Sequence, residues 1–440
     1  MVDFSLTEEQ QMYQNTAREF AEKEIRPAGA AIMNRAPEQS PWDILKDTYA
    51  KGVELGFTKI LIPEQYGGLG GTCMDNVLIM EEFGAADLGI AASYFNVSTT
   101  SPIIILKGGN EQQREKWLTA LTSESDHVLA SASSEPNVAG ADSFCPSPDP
   151  KIGLRSTAKR DGDHYILNGS KAGFSTNAGA AKTFFVMART DLNRPAFDST
   201  SMFMVPADSP GLTLGAKNHL IGWKTAMHSE VFLDNVKVPE EYRIGAEGAN
   251  GAIFFMQTIP YLAAGLAATY IGMARAALDV AYNYANERIS WGQPIINHQA
   301  VQLKLADMVA DLEAARMMVW KLAWAADNND PQAAGIISPV AKTMAVDVAI
   351  RNAERAMKVM GSYGLSEDYP AGRFLNDAWV GDACDGTRDM LRLGIVNFLR
   401  MSRGDMPPPG PPGDMPPPGA PGDMPPGGAP GQMPPGMPPG

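Results

Sequence analysis

The sequence predicts an α+β chain in three consecutive parts. These are an N-terminal helical domain over residues 1–126, a β-barrel-like middle domain over 127–243 and a C-terminal four-helix bundle over 244–403. A tail rich in Pro, Gly and Met follows over 404–440. Three observations carry this reading. Apolar residues recur at helical spacing through roughly the first 125 positions. Short β-type runs separated by turn residues then take over to about position 240. Helical spacing returns in long stretches to about position 402.

Residues 5–27 read as an amphipathic helix with Thr7 as N-cap and Pro27 as its stop. A second helix fits 41–56, followed by glycine turns at Gly67-Gly68 and Gly70-Gly71. Apolar spacing over 74–93 and 97–122 predicts two more helices. In the middle part, Tyr165-Ile166-Leu167, Thr183-Phe184-Phe185-Val186-Met187, Phe203-Met204-Val205 and Val231-Phe232-Leu233 predict strands of a compact domain with six to eight in all. The stretches 249–288, 297–327, 333–361 and 380–401 predict four helices, made antiparallel by short polar connections. The tail repeats Gly-Asp-Met-Pro-Pro at Gly404, Gly413 and Gly422, with a degenerate copy at Gly431. Pro407, Pro416, Pro425 and Pro434 stand where a collagen triple helix requires glycine, so that architecture is excluded. The composition predicts a disordered tail rich in polyproline II, either a spacer or weak docking element or a silent extension.

The chain has 440 residues, 44% of them hydrophobic, and a net charge of −14. That balance argues against a nucleic-acid partner, which wants a basic surface. No run approaches the roughly 20 apolar residues that span a bilayer, so membrane insertion is not expected. The start, Met1-Val2-Asp3-Phe4, carries no signal-peptide pattern. Cys73, Cys145 and Cys384 form no motif, which suits a reducing cytoplasm and predicts no metal site.

One local run holds more chemistry than the rest. Asp385-Gly386-Thr387 sets an acid, a glycine and a hydroxyl in sequence just before the last amphipathic helix. Asp385 has two possible roles. It can cap the helix by accepting from the N–H groups of Thr387 or Arg388, or it can act as a base if a dry pocket raises its pKa. The Met, Ala and Gly residues of 251–274 form either plain core or a roomy apolar wall.

Nearly all of residues 1–402 resembles the flavin-dependent acyl-CoA dehydrogenases, motif by motif and in order. Phe4-Ser5-Leu6-Thr7-Glu8-Glu9-Gln10 and Arg18-Glu19-Phe20-Ala21 resemble the family's opening helix, and Ile62-Pro63-Glu64-Gln65-Tyr66-Gly67-Gly68 its next signature. Ser134-Glu135-Pro136 with Ala139-Gly140-Ala141-Asp142 resembles its flavin-contacting loop. Leu167-Asn168-Gly169-Ser170-Lys171 and Thr176-Asn177 resemble the strand pair beside the flavin ring. Phe232-Leu233-Asp234-Asn235-Val236-Lys237-Val238-Pro239 is similar to the close of the family's β-domain. Glu287-Arg288, Trp291-Gly292, His298-Gln299, Gly361, Gly364 and Asp385-Gly386-Thr387 follow in the bundle.

The resemblance implies an FAD enzyme, a homotetramer, and oxidation of an acyl-CoA to its α,β-enoyl form with electrons leaving to an electron-transferring flavoprotein. It implies Asp385 as the base, its backbone N–H holding the thioester oxygen and Gly386 letting the backbone approach the ligand. It implies cofactor contacts from Ser131, Ser133, Ser134, Phe174, Thr176, Lys358, Gly361 and Thr387. Arg288, Trp291, His298 and Gln299 would join them, with Arg288 and Trp291 reaching across a subunit boundary. Lys358 is alternatively a solvated charge, Phe174 a core aromatic and His298 an ordinary helix histidine.

The chain departs from the family at informative places. The base is aspartate where the family has glutamate. Ala263 and Asn397 replace arginines, Ala141 replaces a serine, and Pro260-Tyr261-Leu262-Ala263 offers no acid where some members place their base. With Tyr261, Ala263, Ala141, Gly386 and Asn397 on the substrate side, the expectation is a compact cyclic or α-branched acyl group, with cyclohexanecarboxyl-CoA as the specific candidate. The alternatives are a flavin oxidase of the same fold, similar to nitroalkane oxidase, and a non-catalytic scaffold that uses its tail.

Overall fold

The structure is a computed structural model that describes residues 4–36, 38–143, 147–217, 220–248 and 257–405. The predicted disorder of the tail beyond 405 and the predicted helix segment 249–256 lie outside the described residues.

The N-terminal part is helical, as expected. Helix α1 (Glu8–Phe20) starts in a capping box formed by Thr7 and Gln10. Pro27 does not stop it. A π-helical turn at Ala21–Ile25 shifts the hydrogen-bond ladder by one residue, and α2 (Arg26–Met33) continues with Pro27 in its first turn, where no N–H is needed. Helix α3 spans Pro41–Glu54. Helix α4 (Cys73–Ala86) is buried over almost its whole length, and Asp87 then caps α5 (Leu88–Phe95). The single helix expected over 97–122 is two, α6 (Ser101–Gly108) and α7 (Glu111–Ser123). Asn110 and Gln113 form another capping box that restarts the chain after Gly109.

The middle part is an eight-stranded sheet built from β1 (Leu129–Ala132), β2 (Thr157–Asp161), β3 (His164–Ser175), β4 (Thr183–Arg189), β5 (Thr200–Pro206), β6 (Leu212–Leu214), β7 (Ser229–Pro239) and β8 (Arg243–Ile244). The order is β6-β7-β3-β2-β4-β5-β8, with β1 parallel to β4. All four predicted runs fall in strands. Tyr165, Phe184, Phe203 and Val231 from four of them share one apolar core.

The C-terminal part holds α8 (Ile259–Glu287), α9 (Gln299–Asp327), α10 (Ser338–Met360), α11 (Ala371–Ala383) and α12 (Arg388–Ser402). The helix predicted over 380–401 is therefore the end of α11, a turn, and α12. The chain leaves the helix because Asp385 and Gly386 take left-handed backbone angles, φ 45° and 91°. A two-residue hairpin, β9 (Ile289–Ser290) and β10 (Gln293–Pro294), joins α8 to α9 with Trp291 and Gly292 at its tip.

Helix α8 crosses α4 at contact distance. A Cβ on Gly272 would stand 1.9 Å from the Glu81 carbonyl oxygen, and one on Gly84 2.0 Å from that of Thr269. Around this crossing, buried Glu82 pairs with Arg18 (2.9 Å) and Arg275 (2.6 Å), and buried Glu81 with Arg316 (2.9 Å). Charges this deep are tolerated because they are paired. One expectation needs correcting. Three helical stretches, Leu88–Gly108, Ile259–Glu287 and Ala333–Leu365, are long and apolar enough to cross a membrane by length and composition. Of their most apolar windows, 94%, 72% and 67% are buried inside the chain. Helices surrounded by protein lose the polar stripe that marks a surface helix.

Candidate active site

The turn between α11 and α12 is where the chemistry-bearing residues meet. Asp385 does not cap α12. Thr387 occupies the N-cap position without a side-chain cap bond, and the Asp385 carboxylate has no hydrogen-bond partner among the described residues. Asp385 is exposed as a residue, while protein lies close around its carboxylate. Burial pushes its pKa up, and the Lys342 ammonium draws it partly back. The positive φ of Gly386 selects glycine, whereas the nearest atom to an added Cβ is the mobile end of the Met390 side chain at 2.9 Å.

Lys342, on α10, is buried beneath this turn. Its Nζ donates to the carbonyl oxygens of Gly381 (2.7 Å), Cys384 (2.9 Å) and Gly386 (2.9 Å). Sequence reading missed it. The only signal was a lysine inside an otherwise apolar helix face. Cys384 packs against the core beside the Tyr270 hydroxyl, and burial pushes its thiol up to about 11, so it is an unreactive filler.

A second cluster joins the turn to the sheet domain. On α11, Asp377 accepts from the Trp223 backbone N–H at 2.6 Å and pairs with Arg373. Arg373 also pairs with Asp87, which accepts from the Thr225 hydroxyl at 2.6 Å. Trp223 stacks on His228, and His228 Nδ1 lies 3.5 Å from the Thr176 hydroxyl. Burial pushes His228 down to about 4, so it is neutral at pH 7. Asn96 donates to the Thr176 carbonyl (3.2 Å) and accepts from the Ser131 hydroxyl (2.8 Å). The structure thus links Ser131 and Thr176, through His228, Trp223 and Asp377, to the helix that leads into the Asp385 turn. It adds Asn96, Trp223 and His228, which no local motif had marked.

Glu135 anchors the serine loop from below. It pairs in the interior with Lys171 (2.8 Å) and accepts from the backbone N–H groups of Arg155 and Ser156. Lys171 also donates to the Ser133 carbonyl, and Ala172 N–H to that of Ser134. Phe174 stands 59% exposed on the end of β3, so the core-aromatic alternative fails.

The other expected cofactor residues lie elsewhere on the surface. Trp291 is 92% exposed at the hairpin tip, and the exposed Arg288 guanidinium lies over the Tyr363 ring. His298 Nε2 lies 3.1 Å from the Ser290 carbonyl oxygen, just before α9. Gln299, Lys358, Gly361 and Thr387 are exposed. On the substrate side, the Tyr261 hydroxyl is spent on the Ala326 carbonyl at 3.2 Å. Ala263 is half-buried and Asn397 exposed, and the side chain of Ala141 lies outside the described residues. No group of three or more potential metal ligands occurs among the described residues.

Comparison with known proteins gives three family matches in register with the three parts of the fold. They are the acyl-CoA dehydrogenase N-terminal domain over residues 7–125, the middle domain over 130–236 and the C-terminal domain over 249–399. An acyl-CoA dehydrogenase of Bacillus subtilis (strain 168) is 37% identical over 399 residues, covering 90% of this chain and 98% of that protein. Butyryl-CoA dehydrogenase from Megasphaera elsdenii superposes with a TM-score of 0.82 at 32% identity, covering 90% of this chain and 100% of that one. A chain from the structure of the electron transferring flavoprotein of Acidaminococcus fermentans, solved in a study of flavin-based electron bifurcation, superposes with a TM-score of 0.80. It is 32% identical, over 90% of this chain and 99% of that one.

Proposed function

The chain belongs to the acyl-CoA dehydrogenase family, and on that premise we propose that it oxidises a compact cyclic or α-branched acyl-CoA, with cyclohexanecarboxyl-CoA as the specific candidate. The observation that carries the proposal is the Asp385 carboxylate, which belongs to an exposed residue yet has its pKa raised by the protein around it, and which has no hydrogen-bond partner among the described residues.

FAD is the family's cofactor, and the residues fit it. The Phe174 ring is exposed two residues before Thr176, and the buried Trp223 Nε1 and His228 Nε2 have no hydrogen-bond partner among the described residues. When bound, FAD supplies the acceptor for the substrate's β-hydride. Ser131, Ser133, Ser134, Phe174 and Thr176 would hold it in one subunit. Arg288, Trp291, His298, Gln299, Lys358, Gly361 and Thr387 would serve the cofactor as well, some of them from a neighbouring subunit. Two features support a homotetramer with shared sites. Trp291 is 92% exposed at the hairpin tip, free to meet a second subunit, and several expected cofactor residues lie far from Thr176 in sequence and exposed.

Asp385 takes the α-proton onto its carboxylate. As enolate charge builds on the thioester oxygen, the Asp385 backbone N–H donates to it, and a donor fixed in advance is worth several kcal/mol at a developing oxyanion, about 2.7–4 in a measured case. Gly386 leaves the ligand room to reach that N–H. The aspartate stands roughly one methylene, about 1 Å, short of a glutamate's reach, and a misplacement of that size costs about a hundredfold. A substrate whose α-carbon lies closer to the turn removes the penalty, and a ring or branch at that carbon does so.

Neither Ala263 nor Asn397 offers a cation to the CoA half, which is the one observation that favours the oxidase reading. Rapid reoxidation of the reduced flavin by oxygen would select it. For the dehydrogenase we propose an electron-transferring flavoprotein as acceptor, in line with the family and the Acidaminococcus likeness, and a cytoplasmic setting, in line with sparse free thiols. The test is anaerobic bleaching of the purified holoprotein by straight, branched and cyclic acyl-CoAs. The proposal expects the cyclic and branched thioesters to bleach fastest. Bleaching by straight chains alone would overturn the substrate assignment.

A further inference from the structure

Lys342 is a buried cation with no role in the proposed reaction so far, and its three bonds join the end of α11 to the turn that follows it. An ammonium has three hydrogens and here meets three carbonyl oxygens, those of Gly381, Cys384 and Gly386. Three acceptors on one nitrogen require the protonated form, since a neutral amine has only two hydrogens to donate. Two of the carbonyls flank Asp385 in sequence, and the third is the end of the helix that delivers it.

We infer that Lys342 is the positioning residue for proton abstraction, clamping the turn that carries Asp385 and supplying the positive charge that balances its carboxylate. The inference rests on the reading of Asp385 as the base.

Other charges near the turn do not fill this role. On α8, Tyr270 faces the site as a neutral phenol, its pKa raised by burial. The thiol of Cys384 on the turn is neutral for the same reason. On α11, Asp377 is engaged with Arg373 and the Trp223 N–H, and Asp382 lies against Arg388 of α12. Arg388 is itself taken up by Asp347 of α10. Lys342 is the cation whose attraction lowers the pKa of Asp385 against the rise from burial. An opposite charge at this range shifts a carboxyl by about 1–3 pH units.

The experiment compares wild type, Lys342→Met, Lys342→Arg and Asp385→Asn as FAD-loaded proteins. It reads the rate of anaerobic flavin bleaching against pH, with the acyl-CoA that bleaches wild type fastest. In Lys342→Met the acid limb of the profile moves up by about one pH unit or more, and the rate at its plateau falls because the turn is loosened. In Lys342→Arg the limb stays within a few tenths of a unit while the plateau rate falls about tenfold or more. A guanidinium keeps the charge but spreads its hydrogens over three nitrogens and cannot converge on the same three oxygens. A purely structural lysine would lower the rate of Lys342→Met without moving the limb, and that result overturns the inference. If Lys342→Met fails to hold FAD, Lys342→Arg decides, and a wild-type plateau rate in it overturns the inference. Retained bleaching in Asp385→Asn would instead remove the base assignment on which the inference stands.

Discussion

Asp385 occupies a backbone region that side chains other than glycine rarely enter, with φ 45°. Such positions cost about 1–3 kcal/mol and tend to persist at functional sites. Asp and Asn tolerate them better than most residues. Asp385→Asn is therefore a fair probe. It should leave the melting temperature and flavin content near wild type while lowering the bleaching rate by about 10²–10⁴. Asp385→Ala should lose the same activity and, in addition, about 1 kcal/mol of stability in a urea titration. Lengthening the side chain in Asp385→Glu should lower the rate with a compact acyl-CoA by about a hundredfold; an unchanged or faster rate would mean that reach does not select the substrate. Asp385 stood out as the candidate base because acid, glycine and hydroxyl are adjacent. Lys342 was not, because its bonds span 39 to 44 residues along the chain and nothing local announces them.

At the level of elements, the sequence signs that misled were those with two meanings. Pro27 reads as a stop, yet a π-helical turn before it puts it in the first turn of a new segment. The apolar spacing of 380–401 reads as one helix, yet two left-handed residues cut it. The cap at Thr7 formed as expected, while the possible cap at Asp385 did not. The crossing of α4 and α8 depends on absent side chains. Gly272→Ala would place a methyl 1.9 Å from the Glu81 carbonyl oxygen, so the helices must part. A loss of about 1–3 kcal/mol is expected, read as a lower melting temperature with flavin still bound. Asp377 ties α11 to the sheet domain and makes that junction pH-sensitive. Burial raises its pKa from 3.8 to about 6, against the pull of Arg373. A carboxyl with a raised folded-state pKa adds stability fully below its unfolded value, and that stability disappears as pH rises through the folded value. Wild type should thus lose stability relative to Asp377→Asn between about pH 4 and pH 6, measured as the difference in urea midpoints. A constant difference across that range would remove the assignment.

Over the whole molecule, the helix–sheet–helix order was legible because period 3.6 gives way to period 2 and then returns. The surface was less so. Trp291 at 92% exposure and Leu365 at 76% look from sequence like any apolar residues, and only the fold shows them uncovered. Trp291→Ala should weaken subunit association and lower FAD occupancy several-fold, with little change in the far-ultraviolet circular dichroism. Light scattering and flavin absorbance on the same eluted peak measure both. Retention of full FAD by a monomer would remove the shared-site proposal.

The account stands on Asp385 as the base for an acyl-CoA whose α-carbon sits close to the turn. The most direct measurement is anaerobic stopped-flow bleaching of the FAD-loaded protein by cyclohexanecarboxyl-CoA and butyryl-CoA, in wild type and in Asp385→Asn. The predicted result is fast bleaching of wild type, faster with the cyclic thioester, and its loss in the variant with flavin still bound. Equal bleaching of the two proteins, or no bleaching of wild type by any acyl-CoA, would contradict it.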